Sequence, residues 1–200
     1  MIDLYEAGGQ VRFLITAEAL ADTIISRFGA SDGGFYDTDG TARDLLFRSR
    51  ELHDGAEPSG ISLAIRVLTR LGHLLARTDL LDAAIAAAHL TADAVVRTPE
   101  AVPELAISID LTVREPAQVV LAGSRNDPRL SSLKRVIGHA FLPHMEIVWA
   151  DTDSPLFQRL PELRAMAAVP EPTAFVCKGF VCDRPTTDSE VLAEQLGKIL

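Results

Sequence analysis

Between residues 58 and 96, apolar residues recur at helical spacing in two runs that meet at Arg77, Thr78 and Asp79. A gap that short leaves room only for a reversal, so the segment predicts an antiparallel helical hairpin. Its first helix opens at Pro58 or Ser59, since proline presets the backbone of a first turn, and runs to about Arg77. Arg66, Arg70, His73 and Arg77 fall at i, i+4, i+7 and i+11 on it, which reads as a solvated basic face. The second helix runs from about Leu80 to Val96, with Thr78 or Asp79 as its cap. Only Asp82, His89, Asp93 and Arg97 break its alanine- and leucine-rich surface, which implies close approach to a neighbour; Thr98-Pro99 ends it.

Upstream, Ala17, Leu20, Ala21, Ile24, Ile25 and Phe28 predict a helix capped by Thr16 and stopped at Gly29. Ile2, Leu4 and Tyr5, closed by Gly8-Gly9, read as the last turn of a helix that starts further upstream. Residues 30–57 carry turn chemistry. There Phe35-Tyr36 and Leu45-Leu46-Phe47 are expected to pair as a short hairpin about Asp39-Gly40. Residues 104–114 present a conflict, because Leu105, Ile107, Ile109, Leu111 and Val113 alternate strictly with other residues and period 2 argues for a strand.

From Gln118 the texture changes. Residues 119–122 form a short apolar run closed by Gly123; Asp127-Pro128 opens a helix to about Ala140; residues 146–149 form a second strand. A proline-rich stretch with one short helix follows over 151–172, then a third strand at 174–177. Thr187 with Glu190 forms a capping box for a last helix to Leu200. Strand, helix, strand, crossover, strand predicts a small parallel sheet. The fold class is therefore α+β overall, with helical hairpins over 1–115 and a small α/β unit with a short parallel sheet over 116–200.

Several function classes are poorly served. The formal net charge is −9, and an acidic surface repels phosphate backbones, which speaks against nucleic acid. No apolar run approaches the roughly 18 residues a membrane span needs; the richest, 61–75, is interrupted by Arg66, Arg70 and His73. The opening residues MIDLYEAGG lack a basic region and an apolar core and are not expected to act as a secretory signal, and two cysteines fit a reducing cytoplasm. Along an extended strand Cys177 and Cys182 would stand about 16 Å apart, beyond disulfide reach; a turn at Lys178-Gly179 would be needed to close them, and both are expected as reduced thiols rather than a redox pair. The five histidines show no H-x-x-x-H or H-E-x-x-H spacing, so neither a metal nor another cofactor is expected. A single glycine after the 119–122 run is too little for a dinucleotide fingerprint.

What remains is the loop His53-Asp54-Gly55-Ala56-Glu57-Pro58-Ser59-Gly60. It brings an imidazole, two carboxylates and a hydroxyl to a helix N-terminus, where backbone N–H groups can receive an anion or a sugar hydroxyl. His53, Asp54, Glu57 and Ser59 are the candidate ligand contacts, and two carboxylates can divide acid and base roles. Asp54 and Ser59 serve equally well as caps that brace the turn. Phe35 and Tyr36 can stack on a sugar ring or simply pack a small core.

Four segments taken together, GGFYDT at 33–38, DGAEPSG at 54–60, VVLAG at 119–123 and AFVCKGFVCDRPTTD at 174–188, carry a resemblance that covers essentially all 200 residues. In this order they resemble the C-terminal third of the thioredoxin-domain-containing family that includes the YyaL and spermatogenesis-associated thioredoxin-like proteins. The resemblance implies an N-terminal thioredoxin-like domain upstream, an α/α toroid of the six-hairpin glycosidase type whose last hairpins lie in 1–115, and a small C-terminal α/β region. It also implies a helix for 104–110. Ile61 stands where the family tends to have asparagine, which removes a polar group from the mouth of the toroid. Two functions follow as expectations. One is a non-catalytic structural or interaction module that pairs with the upstream part or with itself. The alternative is part of a carbohydrate-handling enzyme with its cleft at 53–60.

Overall fold

The computed structural model describes residues 1–41, 45–151, 154–179 and 181–199. In chain order the helices are α1 (Ile2–Gly8), α2 (Val11–Thr23), α3 (Gly60–Leu75), α4 (Thr78–Arg97), α5 (Pro103–Val113), α6 (Leu130–His139), α7 (Pro161–Ala167) and α8 (Ser189–Gly197). The strands are β1 (Ala117–Ala122), β2 (Met145–Ala150), β3 (Thr173–Lys178) and β4 (Val181–Cys182). The fold is α+β, and the chain forms two compact units: Ile15–Arg114, and Met1–Leu14 together with Glu115–Leu200. Among the described residues no helix is long and apolar enough to cross a membrane.

In the helical unit α3 is the central element, packed against both α4 and α5. Ser59 starts it, its hydroxyl accepting from the Ser62 N–H at 3.3 Å. Ile61, Ala64, Ile65, Leu68, Leu71, Leu74 and Leu75 are buried along it. The buried hydroxyls of Thr69 and Thr91 donate to the Ile65 and Ala87 carbonyls, so they cost the core nothing unsatisfied. Gly72 lets α4 approach: a Cβ there would lie 2.5 Å from the Leu81 side chain. The reversal into α4 takes two residues, with Ala76 left-handed at φ 51°. The expected cap of α4 by Thr78 or Asp79 gives way to Arg77 at the N-cap, with no side-chain cap bond.

The basic stripe is not simply solvated. The Arg66 guanidinium donates to Glu104 of α5 at 2.7 Å. Arg77 reaches Glu18 at 3.0 Å, Asp22 at 2.9 Å and Asp79 at 2.5 Å. Charge-paired on three sides, it gathers α2 and α4 at one point and holds the Asp79 carboxyl below the usual carboxylate range. Helix α2 begins at Val11, ahead of the expected Thr16 cap, and closes in a π-helical turn over Ile24–Phe28. Among the described residues no strand pairing joins Phe35-Tyr36 to Leu45-Leu46-Phe47, the hairpin expected there. Phe35 makes an isolated bridge to Gly29, while Leu45, Leu46 and Phe47 stand in solvent, Leu46 at 99 % exposure. The Asp37 N–H donates to the Ser49 carbonyl at 3.0 Å, and Arg48 donates to the Thr38 carbonyl at 2.9 Å and lies over the Tyr36 ring.

The second unit is a four-stranded sheet of order β2-β1-β3-β4. It is mixed, not parallel as expected: β1 pairs β2 in parallel, with Val119 opposite Ile147, but pairs β3 antiparallel, with Val119 opposite Val176. The Pro155–Gln158 turn and α7 form the connection that returns the chain in the opposite sense. The outer edge of β2 is covered by α1. The Tyr5 hydroxyl accepts from the Trp149 N–H at 3.1 Å, Glu6 accepts from the Ile147 N–H at 3.4 Å, and the Trp149 indole donates to the Glu6 carbonyl at 2.8 Å. An edge so occupied cannot recruit a further strand. Gly9, left-handed at φ 66°, has the Trp149 ring 2.7 Å from where a Cβ would be. The last helix is capped one residue later than expected, by Asp188, which accepts from the Glu190 N–H at 2.7 Å.

Cys177 and Cys182 are not reduced thiols. They form a disulfide, with Cα atoms 3.9 Å apart. The 16 Å figure presumed one continuous strand, whereas the chain turns at Gly179, φ 54°, and β4 folds back with Cys182 directly opposite Cys177.

Candidate functional site

The loop at 53–60 is built around Asp54. Its Oδ1 accepts from the Ser59 N–H at 2.8 Å, and its Oδ2 from the N–H groups of Glu104 at 2.8 Å and Leu105 at 3.3 Å. The last two are free donors of the first turn of α5, whose own N-cap, Val102, has no side chain able to accept. The Asp54 N–H donates in turn to the Ala101 carbonyl at 2.9 Å. One carboxylate thus closes its own loop and caps a distant helix.

The other candidates sit differently. Ser59 is buried, and its hydroxyl lies 2.6 Å from that of Ser62. Glu57 is exposed, and its carbonyl accepts from the Gly55 N–H at 3.0 Å. His53 is exposed too, with its ring nitrogen 3.5 Å from Glu51. Phe35 is buried in the core, and two guanidiniums lie over the Tyr36 ring, Arg48 at 4.0 Å and Arg50 at 4.3 Å from its centroid. Arg50 pairs with Asp32 at 2.6 Å and holds that carboxyl below its usual range. The cation–π contacts already occupy the Tyr36 ring, so a stacked ligand would have to displace an arginine.

Chemically, the loop offers backbone order more than reactive groups. Asp54 is committed to three N–H donors, Ser59 to its helix, and Glu57 and His53 are left in open solvent. A two-carboxylate mechanism needs its groups fixed on opposite sides of a bond; here they are three positions apart on one short loop. Among the described residues, no group of three or more His, Cys, Asp or Glu could hold a metal ion.

Among the described residues of the sheet unit, two cavities stand out. One, of about 410 Å³, runs between α6 and α8 and is lined by Arg135, Val136, His139, Ala140, Ala193 and Leu196. The other, of about 170 Å³, lies under α1 beside Glu6, Lys134 and Trp149. Neither was visible in the sequence: α6 and α8 are amphipathic segments like any other, and only their pairing creates the groove.

No known family model matches the chain. It is 28 % identical over 198 residues, 99 % of its length, to an uncharacterized protein of Caenorhabditis elegans, of which it spans 27 %. It is likewise 28 % identical over 193 residues to spermatogenesis-associated protein 20 of Homo sapiens, covering 94 % of this chain and 25 % of that protein. The Rattus norvegicus protein of that name is 28 % identical over the same length. The chain spans about a quarter of the length of the curated relatives it matches. These likenesses agree with the spermatogenesis-associated side of the resemblance carried by the four sequence segments.

Proposed function

We propose that this chain is a structural and interaction module of a spermatogenesis-associated-protein-20-like architecture, and that its helical hairpins complete an α/α toroid rather than turn over a substrate. The observation that carries this reading is the use made of Asp54. The most ligand-like group of the most ligand-like loop spends both oxygens on backbone N–H donors of its own unit. Apolar side chains in solvent supply the means of association: Ile15 and Leu20 on α2, Ile85 and Leu90 on α4, and the tip at Leu46 and Phe47. Solvent-facing leucines and isoleucines in this number stabilise a contact with another surface. The partner is the remainder of a longer architecture, including the thioredoxin-like part, or a second copy of the chain.

Sedimentation velocity of the purified chain, with an apolar-surface dye in parallel, tests this. Concentration-dependent association together with dye binding is expected. A monomer at all concentrations that binds no dye overturns the interaction reading. Sugar turnover that disappears in Asp54→Ala or Glu57→Ala overturns the non-catalytic one in favour of a carbohydrate-handling cleft.

A further inference from the structure

We propose that the Cys177–Cys182 bond is a reversible thiol–disulfide exchange site, opened by an external dithiol at Cys182. The two ends of the bond differ in access. Cys177 lies in β3 and is buried at 8 % exposure, while Cys182 lies in β4, both of whose residues are exposed. An incoming thiolate therefore meets the Cys182 sulfur first.

The fold does not rest on the bond alone. It joins residues five apart in sequence, and a cross-link that closes so short a loop removes less freedom from the unfolded chain than one that closes a long loop. Backbone hydrogen bonds already hold the same hairpin. The Asp183 N–H donates to the Val176 carbonyl at 2.8 Å, and Ala174 and Thr186 exchange bonds of 2.8 and 3.0 Å. The Gly179 N–H donates to the Pro116 carbonyl at 2.9 Å, which fixes the turn from the opposite side. With those bonds in place the two sulfurs stay opposite each other when the disulfide opens, so closure is a local event. A cross-link that is not the sole tie of its hairpin, has one cysteine exposed and keeps its thiols in register has the features of a redox couple rather than a staple.

One thiolate of the dithiol attacks the Cys182 sulfur, forming a mixed disulfide, and Cys177 leaves as a thiolate that takes up a proton. The second thiolate of the reagent attacks its own sulfur in the mixed disulfide and releases Cys182 as a thiolate, which is protonated in turn. The dithiol loses two electrons and two protons and becomes a disulfide; the chain gains both.

The test uses the folded chain in dithiothreitol buffers of graded redox ratio, quenched in acid, alkylated, and weighed by mass spectrometry. Two alkylated thiols are expected at the reducing end and none after return to the oxidising end, with the helical circular-dichroism melt shifted by only a few degrees. Alkylation that appears only after denaturant is added, or reduction that unfolds the chain, overturns the proposal. Single variants test the direction of attack. The Cys182 thiol left in Cys177→Ser is expected to react with an aromatic disulfide reagent at least about tenfold faster than the Cys177 thiol left in Cys182→Ser. Equal rates, or the reverse order, overturn the assignment of Cys182 as the attacked sulfur.

Discussion

Asp54 caps a helix that begins some fifty residues further along the chain. A short acidic residue just before a helix is ordinarily assigned to that helix, and here Ser59 takes the local cap while Asp54 reaches α5. Replacing it with alanine leaves three N–H groups without an acceptor. A lost cap costs about 1 kcal/mol, and unsatisfied part-buried donors add to it, so Asp54→Ala is expected to lower stability by about 2 kcal/mol in urea denaturation. Asp54→Asn, which keeps one acceptor oxygen, should recover part of that; a loss under roughly 0.5 kcal/mol for the alanine variant would show that water replaces the carboxylate freely. Tyr5 makes the comparable residue-scale case in the sheet unit. Burial pushes its hydroxyl up to about 12, above the ordinary value near 10. The folded state therefore keeps a proton that the unfolded chain releases. The stabilisation is fully present below about pH 10 and is lost as the pH rises toward 12, a fall of roughly 3 kcal/mol. Tyr5→Phe should cost about 1–2 kcal/mol at neutral pH, by stranding the Trp149 N–H, and should flatten the alkaline fall; an unchanged alkaline limb would assign that fall to another group.

At the scale of elements, α5 shows why periodicity was ambiguous. Its apolar residues alternate, yet the buried ones are Leu105, Ser108 and Leu111, three apart, while Ile107 is 49 % exposed. A serine inward and an isoleucine outward make a helix look like a strand. What settles the matter physically is Pro103 at the first helical position and the remote cap from Asp54, the second of which no local window contains. The buried Ser108 hydroxyl finds no hydrogen-bond partner among the described residues. Ser108→Ala is accordingly expected to be neutral or to stabilise by up to about 1 kcal/mol in thermal melts; a destabilisation above that would reveal a bonded water or carbonyl. The α3–α4 hairpin, β1 and β2 were readable because each satisfies its apolar pattern within one short window. The direction of β3, the return of β4 and the edge cover by α1 were not, since each depends on a partner far away in sequence. The loop at 53–60 was found as a cluster of polar groups, but a cluster does not reveal whether its oxygens face a ligand or a backbone.

For the whole molecule, net charge and exposed apolar surface pull association in opposite directions. A formal charge of −9 makes two copies repel. The leucines and isoleucines left in solvent on α2 and α4 favour contact, with a strength that simple salt does not weaken. The two contributions separate by ionic strength. Raising salt from about 20 mM to 300 mM shortens the Debye length from roughly 20 Å to 6 Å, which removes most of the repulsion between surfaces that have not yet touched. If apolar faces carry the contact, self-association should strengthen by several-fold across that range. If instead the surface ion pairs, such as Arg97 with Asp93 or Arg114 with Asp110, exchange partners between copies, association should weaken as those pairs are screened. Sedimentation equilibrium at the two salt concentrations distinguishes the cases. Weakening in salt would leave the apolar residues of α2 and α4 as ordinary surface and assign the contact between copies to the ion pairs.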